Sequence, residues 1–372
     1  MIEKDLDFKS FSFFVIFNVY KISFNMEHKR LQFLVPQYKE TEDVIKFLLD
    51  SIECQVLIDK KDIGVIICSD GGEYILDRNF LDSYSYDIDY IICPHRNVSS
   101  TRNSALLLSD ADYIMFCDAD DGFCNLFGIK IIFENIDISD KTNTPFDLLT
   151  SKFYCERSSD EGHTGSKNTC SKDISWGLTM GDHNNIFIHG RVYKREFLIK
   201  NFLYWNEKIW ANEDSFFNIS TNLYAKDKIK ALDVPIYCWR SNPQSVTNDP
   251  KFIVKTLHQL IYSNDSVLET MLLLKINEKE IGKCAFDIIC KVYLDMNRPC
   301  WYEEGNSEYR DITLKTLQWF INKRGLLCEC LTDDEKKDTL QNARGSQHYK
   351  NIESIAFNDF INFVMNYGKE QK

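Results

Sequence analysis

From Leu31 to Cys117, short apolar runs alternate with amphipathic segments, and this alternation limits the fold more than any other feature of the chain. A strand is expected at Leu31 to Val35, followed by a helix with Thr41 as N-cap and Val44, Leu48 and Ile52 on one face. A second strand, Ile63 to Cys68, leads into the turn Ser69-Asp70-Gly71-Gly72. A short helix near Tyr74 to Leu81, a strand at Ile88 to Cys93, a helix near Ser100 to Ser109 and a strand at Tyr113 to Cys117 complete the series. Strands spaced by helices predict an α/β fold with a parallel sheet covered on both faces.

The last of these runs stops abruptly at Asp118-Ala119-Asp120-Asp121-Gly122. Three carboxylates at the carboxyl end of a buried strand occupy the edge where open α/β sheets bind ligands. Crowded acids raise one another's proton affinity unless a cation compensates, and hard oxygen ligands suit Mg²⁺ or Mn²⁺. Asp and Gly also form ordinary turns after strands, so the acids alone leave both readings open.

A chain of 372 residues can hold one large α/β domain and a smaller appendage. Its formal charge of -12 argues against nucleic acid as the main partner without excluding it, because Lys and Arg supply most phosphate affinity. Thirteen cysteines could mean disulfides, but Cys68, Cys117, Cys284 and Cys290 lie inside apolar runs and read as small core residues. With no CxxC pair or zinc-type spacing, the thiols imply a reducing, cytoplasmic setting. The apolar stretch Phe11 to Phe24, interrupted by Asn18 and Lys21, is short for a spanning helix. It can be a peripheral anchor at the inner face of a membrane, an element packed on the domain, or sequence upstream of a start at Met26.

Cys155 to Ser175 is polar and aperiodic and reads as a long surface loop. A second acidic pair follows in Trp210-Ala211-Asn212-Glu213-Asp214-Ser215. Beyond Pro250 helical segments are expected near Phe252 to Leu274, Lys279 to Leu294, Arg310 to Asn322 and Ile352 to Tyr367. The chain is accordingly divided into an extension over 1–29, an α/β domain over 30–249 and a mainly helical region over 250–372.

Five segments, in order, resemble the family 2 glycosyltransferases. Leu34-Val35-Pro36-Gln37-Tyr38-Lys39-Glu40 is similar to that family's first strand and P-x-Y-N-x-E turn, with Lys39 for Asn. Cys68-Ser69-Asp70-Gly71-Gly72 resembles the D-D-G-S turn, with Ser69 for the first Asp. Asn97-Val98-Ser99-Ser100-Thr101-Arg102-Asn103 is similar to N-x-G-x-x-x-A-R-N, with Ser99 for Gly. Asp118-Ala119-Asp120-Asp121 matches D-x-D, and His189 to Phe197 with Glu213-Asp214 resembles the stretch leading to the E-D base. The resemblance covers about residues 30 to 245.

It implies a GT-A fold, a Rossmann-like nucleotide-diphospho-sugar transferase domain, and inverting transfer of a hexose from a nucleotide sugar, a UDP-sugar foremost. Pro36, Tyr38, Glu40, Asp70 and Gly71 are thereby assigned to the donor's base and ribose, Arg102 to its base or phosphates, and Arg240 to a segment that closes over the diphosphate. Pairing of Arg102 with the chain's own acids is the competing reading. Asp120 is favoured for Mn²⁺ or Mg²⁺, with Asp118 shared between metal and ribose and Asp121 in a ribose or outer role. Asp214 is assigned as general base with Glu213 in support, although acids at a helix start also suit the macrodipole. Trp205, Trp210 and Trp239 can stack on a sugar or pack in the core, and His189 can close over the diphosphate or be structural.

Two other functions compete. A sugar-phosphate nucleotidyltransferase would be expected to carry a Gly-rich loop after the first strand, and Pro36 to Glu40 has no Gly. An inactive scaffold would not need both acidic constellations. The acceptor hydroxyl stays open among glycan, lipid-linked glycan, polymer, protein and modified nucleobase.

Overall fold

The computed structural model describes residues 28–156, 164–167, 187–240, 249, 251–345 and 356–368. The Phe11 to Phe24 stretch lies outside them. Strand β1 (Leu31–Gln37) is flanked by β2 (Ile63–Asp70) and β4 (Tyr113–Phe116), with β3 (Asp87–Cys93) beyond β2. All three pairings are parallel, so the four strands end at one edge. The chain steps outward from β1 to β2 and β3, then returns to the other side of β1 as β4. That reversal opens a crevice at the carboxyl ends, the usual ligand position in such sheets.

Beyond β4 the sheet becomes mixed. The order is β3-β2-β1-β4-β8-β6-β9-β5, with β7 (Thr164–Lys167) on β6 (Leu148–Glu156). β8 (Arg191–Lys194) is antiparallel to both β4 and β6, whereas β9 (Ile229–Trp239) runs parallel to β6 and antiparallel to β5 (Gly122–Phe123). The parallel half is as expected. Within the loop expected over Cys155 to Ser175, the first residues finish β6 and Thr164–Lys167 pairs antiparallel with that end, which corrects those positions; 157–163 and 168–175 lie outside the described residues.

Alternation along β1 explains how both faces are covered. Leu31, Phe33 and Val35 join a core with Ile45, Leu48, Leu49 and Ile52 of α1 (Glu42–Glu53) and Ile129 and Ile132 of α4 (Gly128–Thr142). Leu34 faces the other way, into a cluster with Ala105 and Leu106 of α3 (Val98–Leu108). Ile45 rather than Val44 completes the buried stripe of α1, and Thr41 occupies the N-cap without a side-chain cap bond. The helix expected from Tyr74 shrinks to α2 (Arg78–Leu81), capped by Asp77.

Past the short α5 (Arg195–Lys200), α6 (Glu213–Ala225) links two cores. Its Phe217 packs under the sheet, while Ile219 and Leu223 join the helical region. That region comprises α7 (Phe252–Leu273), α8 (Glu278–Met296), α9 (Ser307–Arg324), α10 (Asp333–Gly345) and α11 (Phe357–Asn366). The expected helices are present, with α10 in addition; its long polar faces hid it from a reading based on apolar periodicity. Among the described residues no helix is long and apolar enough to cross a membrane. Cys68, Cys117, Cys284 and Cys290 are buried free thiols.

Candidate active site

The two acidic constellations meet on one guanidinium. Arg102 Nη2 donates to Asp118 Oδ1 at 2.9 Å, and Nη1 donates to Glu213 Oε1 at 3.0 Å and Asp214 Oδ1 at 3.2 Å. Its side chain is 4% exposed, and its guanidinium lies 4.3 Å from the Trp205 ring, which stacks on Phe217 at 4.1 Å. Burial disfavours the charge, but Asp214, Asp118 and Glu213 together hold the guanidinium firmly protonated. The geometry is the acid-pairing arrangement, with Arg102 spanning from the end of the parallel sheet to the start of α6.

Helix α3 positions that span. Asn97 caps it by accepting from Ser100 N–H at 3.0 Å. One turn on, Asn103 exchanges two bonds with the Trp205 backbone, at 2.9 and 2.8 Å, and Ser99 Oγ donates to the Ile209 carbonyl. The segment before Asp214 is thus stitched to the same helix that carries Arg102. Asn212, in the left-handed region at φ +61°, turns the chain into α6, and its carbonyl accepts from Ser263 Oγ of α7.

Glu213 and Asp214 occupy the first turn of α6, where the helix dipole favours negative charge. Asp214 keeps 27% of its side chain exposed, with Oδ1 held by Arg102. Burial raises its proton affinity well above the usual range, Glu213 and Asp118 add to the rise, and Arg102 opposes it. A carboxylate of this kind is a stronger proton acceptor than a solvated one.

At the strand end, Asp121 N–H donates to the Asp118 carbonyl at 3.2 Å, closing a turn that brings these two acids together. Tyr237 of β9 fixes the turn: its hydroxyl accepts from Asp118 N–H at 3.1 Å and donates to Asp121 Oδ2 at 2.9 Å. Arg240 N–H donates to Asp121 Oδ1 at 2.9 Å, and its guanidinium lies over Phe47. Asp121 is almost fully buried; that burial, with Asp118 and Asp120 nearby, pushes its carboxyl well above the ordinary range.

His189 stands beside this turn with Nδ1 3.6 Å from Asp121 Oδ2, in an aromatic cage of Phe153, Phe187, Tyr237 and Trp239. Ligand atoms of Asp118, Asp121 and His189 all lie within 4.8 Å of one another. Two carboxylates and an imidazole suit a divalent cation of the Mn²⁺ type, and a cation there would relieve the repulsion that burial creates. Asp120 stands outside this trio because the turn joins positions 118 and 121; its carbonyl faces Arg240 Nη1 at 3.4 Å. His189 was the least legible member, since only the fold brings it next to the acidic turn.

The remaining predicted residues line the parallel edge. Pro36 is the penultimate residue of β1, Tyr38 is 37% exposed, and Glu40 Oε2 accepts from Tyr38 N–H at 2.7 Å. Asp70 ends β2 and accepts from Arg96 N–H at 2.7 Å, with Gly71 next to it. Of the three tryptophans, Trp205 is core, Trp239 packs on His189, and Trp210 is 49% exposed.

Residues 33–123 match the family model Glycosyl transferase family 2. The chain is 28% identical over 229 residues to the uncharacterized glycosyltransferase EpsJ of Bacillus subtilis (strain 168), covering 58% of this chain and 62% of that protein. It is 24% identical over 215 residues to the poly(ribitol-phosphate) beta-glucosyltransferase of Bacillus spizizenii, covering 56% of this chain and 32% of that protein. It therefore spans less than two thirds of the length of either curated relative. Among solved structures, S. aureus TarS 1-349 in complex with UDP aligns over 92% of both chains with a TM-score of 0.60 and 17% identity. The same fragment in complex with UDP-GlcNAc aligns with a TM-score of 0.61 and 16% identity. The architecture is a GT-A fold with a helical C-terminal region, and residues 33–123 are similar to glycosyl transferase family 2.

Proposed function

We propose that this chain is an inverting, metal-dependent glycosyltransferase that moves a sugar from a UDP-sugar to a hydroxyl acceptor. The observation that carries the reading is the Arg102 bridge, which gathers the acid of the strand-end turn and the acid pair of α6 into one site. UDP and UDP-GlcNAc bound to TarS support the choice of donor.

In this reading Tyr38 and Asp70 receive the base, Pro36, Glu40 and Gly71 shape the ribose side, and Arg240 closes over the phosphates. Asp118, Asp121 and His189 would hold a divalent cation, with Asp120 next in the same turn. The cation supplies charge neutralisation for the departing diphosphate. Asp214 takes the proton of the acceptor hydroxyl as its oxygen bonds to the anomeric carbon and the bond to the diphosphate breaks. Displacement from the face opposite the leaving group, with no covalent intermediate, inverts the anomeric centre. Glu213 and Arg102 keep Asp214 oriented and control its charge. The domain division at about residue 249 puts the donor machinery on the sheet, with the helical region supporting the acceptor side.

Asp214→Asn should lower kcat roughly 10²- to 10⁴-fold while calorimetry shows UDP binding retained. Turnover equal to wild type would remove the base assignment. Asp121→Asn and His189→Ala should each weaken Mn²⁺-dependent UDP binding, and affinity that is the same with and without Mn²⁺ in wild type would remove the metal.

A further inference from the structure

The base subsite already has an occupant. His95, two residues past β3, stacks on Tyr38 with ring centroids 5.2 Å apart and planes 13° from parallel. Its Nδ1 lies 3.3 Å from Asp70 Oδ2, and the other carboxylate oxygen is held by Arg96 N–H. A flat heteroaromatic ring with a nitrogen facing Asp70 is what the proposed reading asks of a nucleobase with a ring N–H. The imidazole uses the same aromatic face and the same carboxylate.

The backbone is shaped to put it there. Gly71 adopts φ +84°, and a Cβ on it would lie 2.7 Å from His95 Cβ, so only glycine lets the two segments approach. Gly71 N–H donates to the Cys93 carbonyl at 2.8 Å, carrying the β2–β3 pairing into the turn below His95. The His95 side chain is nonetheless 58% exposed, so no packed core resists its rotation outward.

Building on the proposed UDP-sugar reading, we infer that His95 is an internal stand-in for the nucleobase, occupying the Tyr38–Asp70 subsite until an incoming base displaces it. A base that wins the subsite restores both contacts, whereas one lacking the N–H leaves Asp70 Oδ2 facing an acceptor. The displacement itself is common to every base, so it reduces apparent affinity by one shared factor, the inverse of the fraction of molecules with His95 turned out.

The test is calorimetry of the full chain with Mn²⁺, titrating UDP and CDP into wild type and His95→Ala. The variant should bind UDP roughly 3- to 30-fold more tightly, corresponding to an inward population of about two thirds to 97%. CDP should gain by the same factor, leaving the UDP-to-CDP preference unchanged. A folded His95→Ala, judged by an unchanged Tm, that binds UDP equally or more weakly overturns the proposal and makes His95 a fixed wall of the pocket. In wild type, the NMR resonance of the His95 Cε1 proton should lose the Tyr38 ring-current shift when UDP is added; an unmoved resonance in the bound state also overturns it. If UDP binds neither protein, the nucleotide-sugar reading fails first and takes this inference with it.

Discussion

At the scale of single residues, Arg102 decides the electrostatics of the site. Removing it would leave Asp118, Glu213 and Asp214 facing one another with no shared cation, so Arg102→Ala should lose about 3 kcal/mol or more of stability by urea unfolding. Arg102→Lys should not restore it, because one ammonium cannot reproduce the planar fork that reaches three carboxylates. Asp214 gives a pH prediction with a definite sign. Its folded proton affinity is raised, so the native state binds the proton more tightly than the unfolded chain. Its ionisation therefore costs stability as pH rises through the raised value, and the cost is absent below the ordinary carboxylate range. Asp214→Asn should gain Tm relative to wild type at neutral pH, with the gain shrinking as pH is lowered toward about 4. In wild type the acid limb of kcat should sit above the usual carboxylate range, and a limb at that range would show that a solvated acid is the base.

Individual elements explain what could and could not be read from sequence. The parallel strands were legible because each is an apolar run ended by a turn or a helix cap, as at Ser69-Asp70-Gly71 and Asn97. β8 spans only four residues and β9 interleaves polar positions, so neither stands out until the sheet supplies their neighbours. The residue types at Asp118, Asp121 and Asp214 were visible, but their wiring was not. Arg102 reaches partners 111 and 112 positions away, and nothing local announces such a bond. His189 was seen as a lone histidine for the same reason. Its setting depends on Gly190 at φ +72°, where a Cβ would lie 2.3 Å from Ser151 Oγ. Gly190→Ala should cost about 1–3 kcal/mol in urea unfolding and weaken Mn²⁺ binding together, since the strain falls on the turn that presents His189.

Across the whole molecule, the helical region reaches back to the turn that leads into Asp214. Gln259 Oε1 accepts from Trp210 N–H at 3.2 Å, and Ser263 Oγ donates to the Asn212 carbonyl at 2.8 Å. Both bonds sit on the approach to Asp214, so α7 braces the residue proposed as the base although it lies outside the sheet. Ser263→Ala should lower kcat severalfold with UDP affinity unchanged; a loss confined to UDP affinity would contradict this division. That support was hidden in the sequence, where the tail shows only helical periodicity and no sign of the partner it touches.

The Tyr237 hydroxyl has a consequence for how metal and acid compete. One oxygen of Asp121 already receives the phenol hydrogen and the other receives Arg240 N–H, so any added cation must use the lone pairs left over. A hydrogen ion and the proposed divalent metal would then be rivals for one seat. Because burial and neighbouring acids make that seat hold hydrogen ions tightly, the rivalry would begin above the pH range of ordinary carboxylates. Mn²⁺ affinity measured against pH should accordingly fall well before ordinary surface carboxylates begin to titrate, turning mild acidification into a reversible way of emptying the site.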